Sequence, residues 1–218
     1  MEKKTNSIII ITTLVCLLPV ILGLALYDKL HGQIAVHFDA MGEPDNYLPK
    51  ALVVFGLPAF LAVINLFTHF RLNNDLRSEN ASSSLKQVAK WAVPLVSVIV
   101  MPVTLFMAMG AEVPITMLVT AIVGVVFVVC GNYLPKGRRN YIVGIKLPWT
   151  LDSEENWNKT HRFAGPVWVI GGMLFIATSF FHSMFAGIGI IVALVALPAV
   201  YSYLIYRNQL REGSGPTK

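Results

Sequence analysis

Charge is what this sequence has least of. Charged residues make up 13% of the 218-residue chain, against about 25% in ordinary soluble domains. With 55% hydrophobic residues and a mean hydropathy of +0.64, the chain lacks the polar surface to face water on all sides. A soluble globular domain is excluded and an integral membrane protein implied. Cysteine is nearly absent as well. Cys16 and Cys130 are the two in the chain, and both lie inside apolar runs, where free cysteine behaves as a small packing residue. That excludes a disulfide framework and a cysteine metal site. No HExxH, no GxSxG elbow and no phosphate-cradling loop is present, which removes the common hydrolase and nucleotide-binding classes. No Asp, Glu, Lys or Arg falls in the middle of any long apolar run, whereas ion-coupled transporters usually carry one there. The spacing of the prolines forms no convincing inverted repeat.

What the chain does have is six apolar runs, at about 7–27, 51–70, 88–109, 113–131, 164–181 and 185–206. Each is close to the roughly 20 residues that span about 30 Å of hydrocarbon. The expected fold class is all-α: one polytopic membrane helix bundle, 1–218, of about six transmembrane helices. The first run follows Glu2, Lys3 and Lys4, is too long for the apolar core of a signal peptide and precedes no A-x-A site, so it reads as an uncleaved anchor. Orientation comes from the basic residues. With the N-terminus inside, Lys29 and Lys50 are the only two of the seventeen Lys and Arg that fall outside, and the other fifteen fall inside. Both termini are therefore expected in the cytoplasm. The net charge of +5 belongs to loops beside anionic lipid and implies the bilayer, not nucleic acid, as the direct partner. Pro19, Pro58, Pro94, Pro102, Pro114, Pro166 and Pro198 lie in or beside the runs, as kinks that neighbouring helices accommodate or as breaks that line a site. Asn65 and the threonines are the notable polar residues within the runs, the kind of group that joins helices.

The first outer loop, 28–50, reads DKLHGQIAVHFDAMGEPDNYLPK. Ile34, Val36 and Phe38 alternate with Ala35 and His37 in a strand-like pattern. Asp39 to Gly42 supplies one turn and Glu43 to Asn46 a second. Asp28, Asp39, Glu43 and Asp45 make the loop acidic, able to attract a cationic ligand or to cap the bundle as a solvated loop. The candidate ligand contacts are His37, Asp39, Gly42 and Asp45. His31, His37, Asp39 and Asp45 match no metal-site spacing, and no metal or cofactor is expected. On the inner side, 71–87 reads as a flexible linker with basic flanks, and 207–218 as a disordered tail around Gly213 to Pro216.

The densest polar stretch is the inner loop 131–165, GNYLPKGRRNYIVGIKLPWTLDSEENWNKTHRFAG. Lys136, Arg138 and Arg139 follow the fourth run as an interfacial anchor. Asn140 to Ile145 is extended in character, with Gly144 where backbone approaches closely. Pro148 biases Leu147 away from helix. Trp149 and Trp157 read as anchors of the inner interface. Asp152 with Glu155 resembles a capping box, so a helix is expected from near Ser153, running on into the fifth span. Trp157, His161 and Ala164 share one face of it. A lone His one turn from a Trp is a packed residue more often than a catalyst. The alternative is a docking surface.

At these residues the chain closely resembles the SdpI family of bacterial toxin-immunity membrane proteins. That family shows G-N-Y-x-P/G-K, then N-Y-x-x-G-I-R-T-P-W-T-L, then W-x-K-T-H-R. Gly131, Asn132, Tyr133, Asn140, Tyr141, Gly144, Ile145, Pro148, Trp149, Thr150, Leu151, Trp157, Lys159, Thr160, His161 and Arg162 match; Lys146 and Leu147 stand where Arg and Thr are usual. VHFDAMGEPDNYLPK in the outer loop resembles a second short motif of the same proteins. The resemblance implies a six-span, multi-pass protein of the bacterial cytoplasmic membrane, without enzymatic activity. It implies immunity to a secreted membrane-active peptide toxin and, for some members, capture of a cognate transcriptional repressor at the membrane. The residues offered as docking site or structural signature are Asn132, Asn140, Gly144, Pro148, Trp149, Thr150, Trp157, His161 and Arg162. A small-molecule transporter or permease is the alternative. A membrane-embedded enzyme using Glu154, Glu155 and His161 comes third.

Overall fold

The computed structural model describes residues 2–39, 41–74, 83–141, 143–181 and 184–212. Of the expected 71–87 linker, 75–82 lie outside the described residues, whereas 71–74 end one helix and 83–87 begin the next; Gly213 to Pro216 of the tail lie wholly outside them. Among the described residues there are seven α-helices: α1 (Glu2–Leu26), α2 (Leu57–Asn74), α3 (Ser83–Met107), α4 (Ile115–Tyr133), α5 (Pro148–Asp152), α6 (Glu154–Phe181) and α7 (Met184–Arg211). Among the described residues six helical stretches are long and apolar enough to cross a membrane: Ser7–Lys29, Leu52–Asn74, Ser83–Met107, Ile115–Lys136, Glu154–Phe181 and Phe185–Arg211. The all-α reading of the bundle holds. Helices α1, α3, α6 and α7 run through their prolines without a break. Before Pro58, which has no N–H to give, Leu52–Gly56 forms a widened π turn in which the Leu57 N–H bonds back to Leu52 O.

The chain divides into two compact units, Met1–Asn73 with Gln87–Ile115, and Asn74–Lys86 with Thr116–Lys218. In the first, the loop after α1 folds into an antiparallel hairpin of β1 (Gln33–Phe38) and β2 (Pro44–Pro49), pairing Ile34 with Leu48 and Ala35 with Tyr47. The strand expected over Ile34 to Phe38 and the turn at Asp39 to Gly42 are both there. The second turn, expected at Glu43 to Asn46, is not: Pro44 onward is strand. Asp39 is the reason. Its Oδ1 accepts from Met41 N–H at 2.8 Å and Glu43 N–H at 2.9 Å, its own N–H donates to Glu43 O at 2.8 Å, and Gly42 sits at φ +90°. One Asx turn thus closes the reversal and sends residues 44–49 straight back. The hairpin rests on an apolar core of Leu30, Ile34, Val53, Val54, Met101 and Leu105. Lys50 Nζ donates to Tyr27 O at 3.0 Å and lies 4.4 Å from the centre of the Tyr27 ring, fixing the hairpin's return into α2.

In the second unit α4 and α6 meet along glycines. A Cβ on Gly124 would lie 2.8 Å from Gly172 O, and one on Gly131 2.8 Å from Gly165 O. Backbones this close are what small residues permit between membrane helices, where no hydrophobic force drives association. The seam sets the start of the loop that α5 and α6 complete.

Candidate functional site

The described residues between Gly137 and Leu147 are irregular backbone, so their N–H and C=O groups need partners that helices supply for themselves. Side chains of the motif provide them. The Trp157 indole N–H donates to Gly137 O at 2.9 Å. Asn140 accepts from Val143 N–H at 2.9 Å and donates to Arg138 O at 2.7 Å. His161 Nε2 accepts from Ile145 N–H at 3.0 Å, and Thr150 Oγ1 lies 2.7 Å from Ile145 O, so one residue is held by both its amide and its carbonyl. Thr150 Oγ1 also accepts from Leu147 N–H at 2.9 Å, and Arg139 donates to Leu151 O at 3.1 Å. Asn140, Thr150 and Trp157 are fully buried and His161 is 2% exposed.

His161 shows what such an arrangement can do chemically. Its Nδ1 is 2.8 Å from Trp157 O, a carbonyl that only accepts. Its Nε2 faces an amide that only donates. The partners therefore assign the neutral ring with the proton on Nδ1. Neither nitrogen is left to take a proton from a substrate. Both bonds serve position, and the ring is stacked on Trp157 with centroids 3.9 Å apart. Gly144 makes the stack possible. It sits at φ +134°, and a Cβ there would lie 2.6 Å from His161 Nε2 and 2.7 Å from Trp157 Cη2. The close approach expected at Gly144 is found, and its object is the Trp157–His161 pair.

A second network ties α7 to this loop. Trp149 donates from its indole N–H to Ser202 Oγ at 2.7 Å. Ser202 Oγ donates to Asn156 Oδ1 at 3.0 Å, Asn156 Nδ2 donates to Ser202 O at 3.0 Å, and Thr160 Oγ1 donates to the same Oδ1 at 2.9 Å. Gln209 Nε2 reaches Ser153 Oγ and Glu155 Oε2, both at 3.1 Å. Trp149 packs on Tyr206 and Tyr203 with centroids 5.8 and 5.6 Å away. Asn156, Ser202 and Gln209 carry this network, and sequence reasoning missed them. Asn156 had one visible signal, its place four residues before Thr160 on a helix face. Ser202 is a lone serine in an apolar run and had none.

Two expectations change. Trp157 is not an aromatic-belt anchor, because it is fully buried and spends its N–H on the loop. Helix α6 does begin beside Ser153, but the capping oxygen is Ser153 Oγ, which accepts from Asn156 N–H at 3.2 Å, rather than Asp152. Asn132, Pro148 and Arg162 are exposed and stand apart from the buried group. Glu155 pairs with Lys159 at 2.6 Å, and Glu154 is exposed, so Glu154, Glu155 and His161 do not converge on one point.

In the other unit, His37 Nδ1 and Asp45 Oδ1 pair across the hairpin at 2.5 Å, both well exposed. Asp39 and Gly42 build the turn. Among the described residues no three His, Cys, Asp or Glu side chains cluster as a metal site would require.

Comparison with known proteins gives two family matches. Residues 136–206 match the SdpI/YfhL protein family, and residues 14–62 match a domain of unknown function, DUF1648. One falls in each compact unit. The chain is 28% identical over 215 residues to the immunity protein SdpI of Bacillus subtilis (strain 168), a similarity that covers 99% of both chains. No solved structure matches.

Proposed function

We propose that this chain, similar to the SdpI/YfhL family over residues 136–206 and to an immunity protein along its length, is an immunity protein of the bacterial cytoplasmic membrane, conferring tolerance to a secreted, membrane-active peptide. The observation that carries the reading is the full-length similarity to an immunity protein. The hairpin supports it from the chain itself. Glu43 beside the turn and the His37–Asp45 pair across the strands are exposed, and exposed carboxylates draw a cationic peptide by long-range attraction that salt screens. In the orientation that the basic residues favour, the hairpin faces outward and the 131–165 loop faces the cytoplasm. There the exposed Asn132, Pro148 and Arg162 would meet a cognate repressor, with the buried residues holding them in place.

Survival of a toxin-sensitive bacterium tests this. Cells expressing the protein should outlive controls when exposed to a peptide encoded beside its gene, and Asp45→Ala with Glu43→Ala should weaken protection most at low salt. Absence of protection by a well-expressed protein against every such peptide rejects the proposal. Reporter fusions after Arg139 and near Asp45 test the orientation separately, and an external signal at Arg139 reverses it.

A further inference from the structure

Unit one holds a polar cluster that neither the hairpin nor the apolar core uses. Thr12 of α1 and Asn65 and His69 of α2 are buried, at 0%, 0% and 1% exposure. Thr12 Oγ1 lies 2.8 Å from Ile8 O and 2.9 Å from His69 Nε2, and it accepts from Asn65 Nδ2 at 3.1 Å. The second Asn65 N–H donates to Thr13 Oγ1 at 3.1 Å. Two buried atoms are left over: Asn65 Oδ1 and His69 Nδ1 meet no donor or acceptor among the described residues. Groups orphaned in this way are costly in an apolar setting, and here they are one turn apart on the same helix face.

Proton counting narrows what satisfies them. The Thr12 hydroxyl has one proton. If it goes to Ile8 O, His69 must donate from Nε2, and Nδ1 is a bare acceptor one turn from the acceptor Oδ1. If it goes to Nε2 instead, Nδ1 carries the proton and is an unpaired donor one turn from that acceptor. Exchanging the amide oxygen and nitrogen of Asn65 moves the orphan without removing it. A metal ion or an ammonium answers only the first state and adds a charge. Among the described residues of α1 and α2 no carboxylate lies beyond Glu2 to balance it. A hydroxyl group both donates and accepts, so it answers both states and adds no charge. We propose that Asn65 and His69, with Thr12 behind them, form a binding site for one small uncharged hydroxylic molecule, and that water fills it.

The test is solid-state NMR on the full chain in lipid vesicles with ¹⁵N-labelled histidine. The His69 signal is assigned by its loss in His69→Gln. Magnetisation from water should reach the His69 ring at short mixing times, the ring should carry a single N–H proton near neutral pH, and the transfer should vanish in Asn65→Leu. A ring that water never reaches means the cluster is dry and overturns the proposal. A ring with both nitrogens protonated means it holds a proton instead, and overturns it equally. Both of those outcomes are read on the unaltered protein, so a variant that fails to fold does not shield the idea. Transfer that persists in a folded Asn65→Leu removes Asn65 from the site.

Discussion

The two units treat their polar side chains in opposite ways. In unit two the buried polar residues Asn140, Thr150, Trp157 and His161 bond to loop backbone, and all their buried side-chain nitrogens and oxygens find partners among the described residues. In unit one Thr12, Asn65 and His69 bond to one another, to Thr13 and to α1 backbone, and two of their atoms have no partner among the described residues. The difference teaches why one region reads as a dense motif and the other does not. The stretch of irregular backbone between Gly137 and Leu147, within an apolar protein, needs specific donors and acceptors. Helices satisfy their own backbones, so between them a few polar contacts suffice, and those can leave loose ends.

Substitutions can break that contrast. The largest expected effect is Trp157→Ala, which empties a fully buried site and orphans Gly137 O. It should cost about 3–5 kcal/mol, read as a large drop in the thermal midpoint of the detergent-solubilised protein. Gly144→Ala should follow, because a positive φ and a Cβ against the His161–Trp157 stack together cost roughly 2–4 kcal/mol. His161→Ala or Asn140→Ala each strips a buried amide of its acceptor, for about 1–3 kcal/mol. In unit one, Asp39→Ala removes the one oxygen that accepts from both the Met41 and Glu43 amides in the partly solvated hairpin turn, so about 1 kcal/mol is expected, visible as faster proteolysis near Met41. Arg162→Ala, on the exposed face, should stay within about 0.5 kcal/mol. If it abolishes repressor capture while stability holds, Arg162 is a contact and the buried motif its support.

Much of this was legible in the sequence, for identifiable reasons. The spans were visible because hydrocarbon sets their length, and Gly144 because a glycine in an extended polar stretch signals close approach. The reversal at Asp39 was visible in its turn chemistry. Strand β2 was hidden, since Pro44, Asp45 and Asn46 are turn formers that the Asx turn and the packing of Leu48 overrode. The burial of Trp157 was hidden because its partner, Gly137 O, lies twenty residues away. Ser202 and Gln209 on α7 had no local pattern at all, as their meaning comes only from what α5 and α6 bring beside them.

The central claim is that the motif side chains act on the loop's own backbone. Site-resolved hydrogen exchange of the Ile145 and Val143 amides tests it most directly. Both should be protected in the unaltered protein. His161→Ala should release Ile145, Asn140→Ala should release Val143, and Arg162→Ala should release neither. Rapid exchange at Ile145 in the unaltered protein, or protection there that survives His161→Ala, would contradict the account.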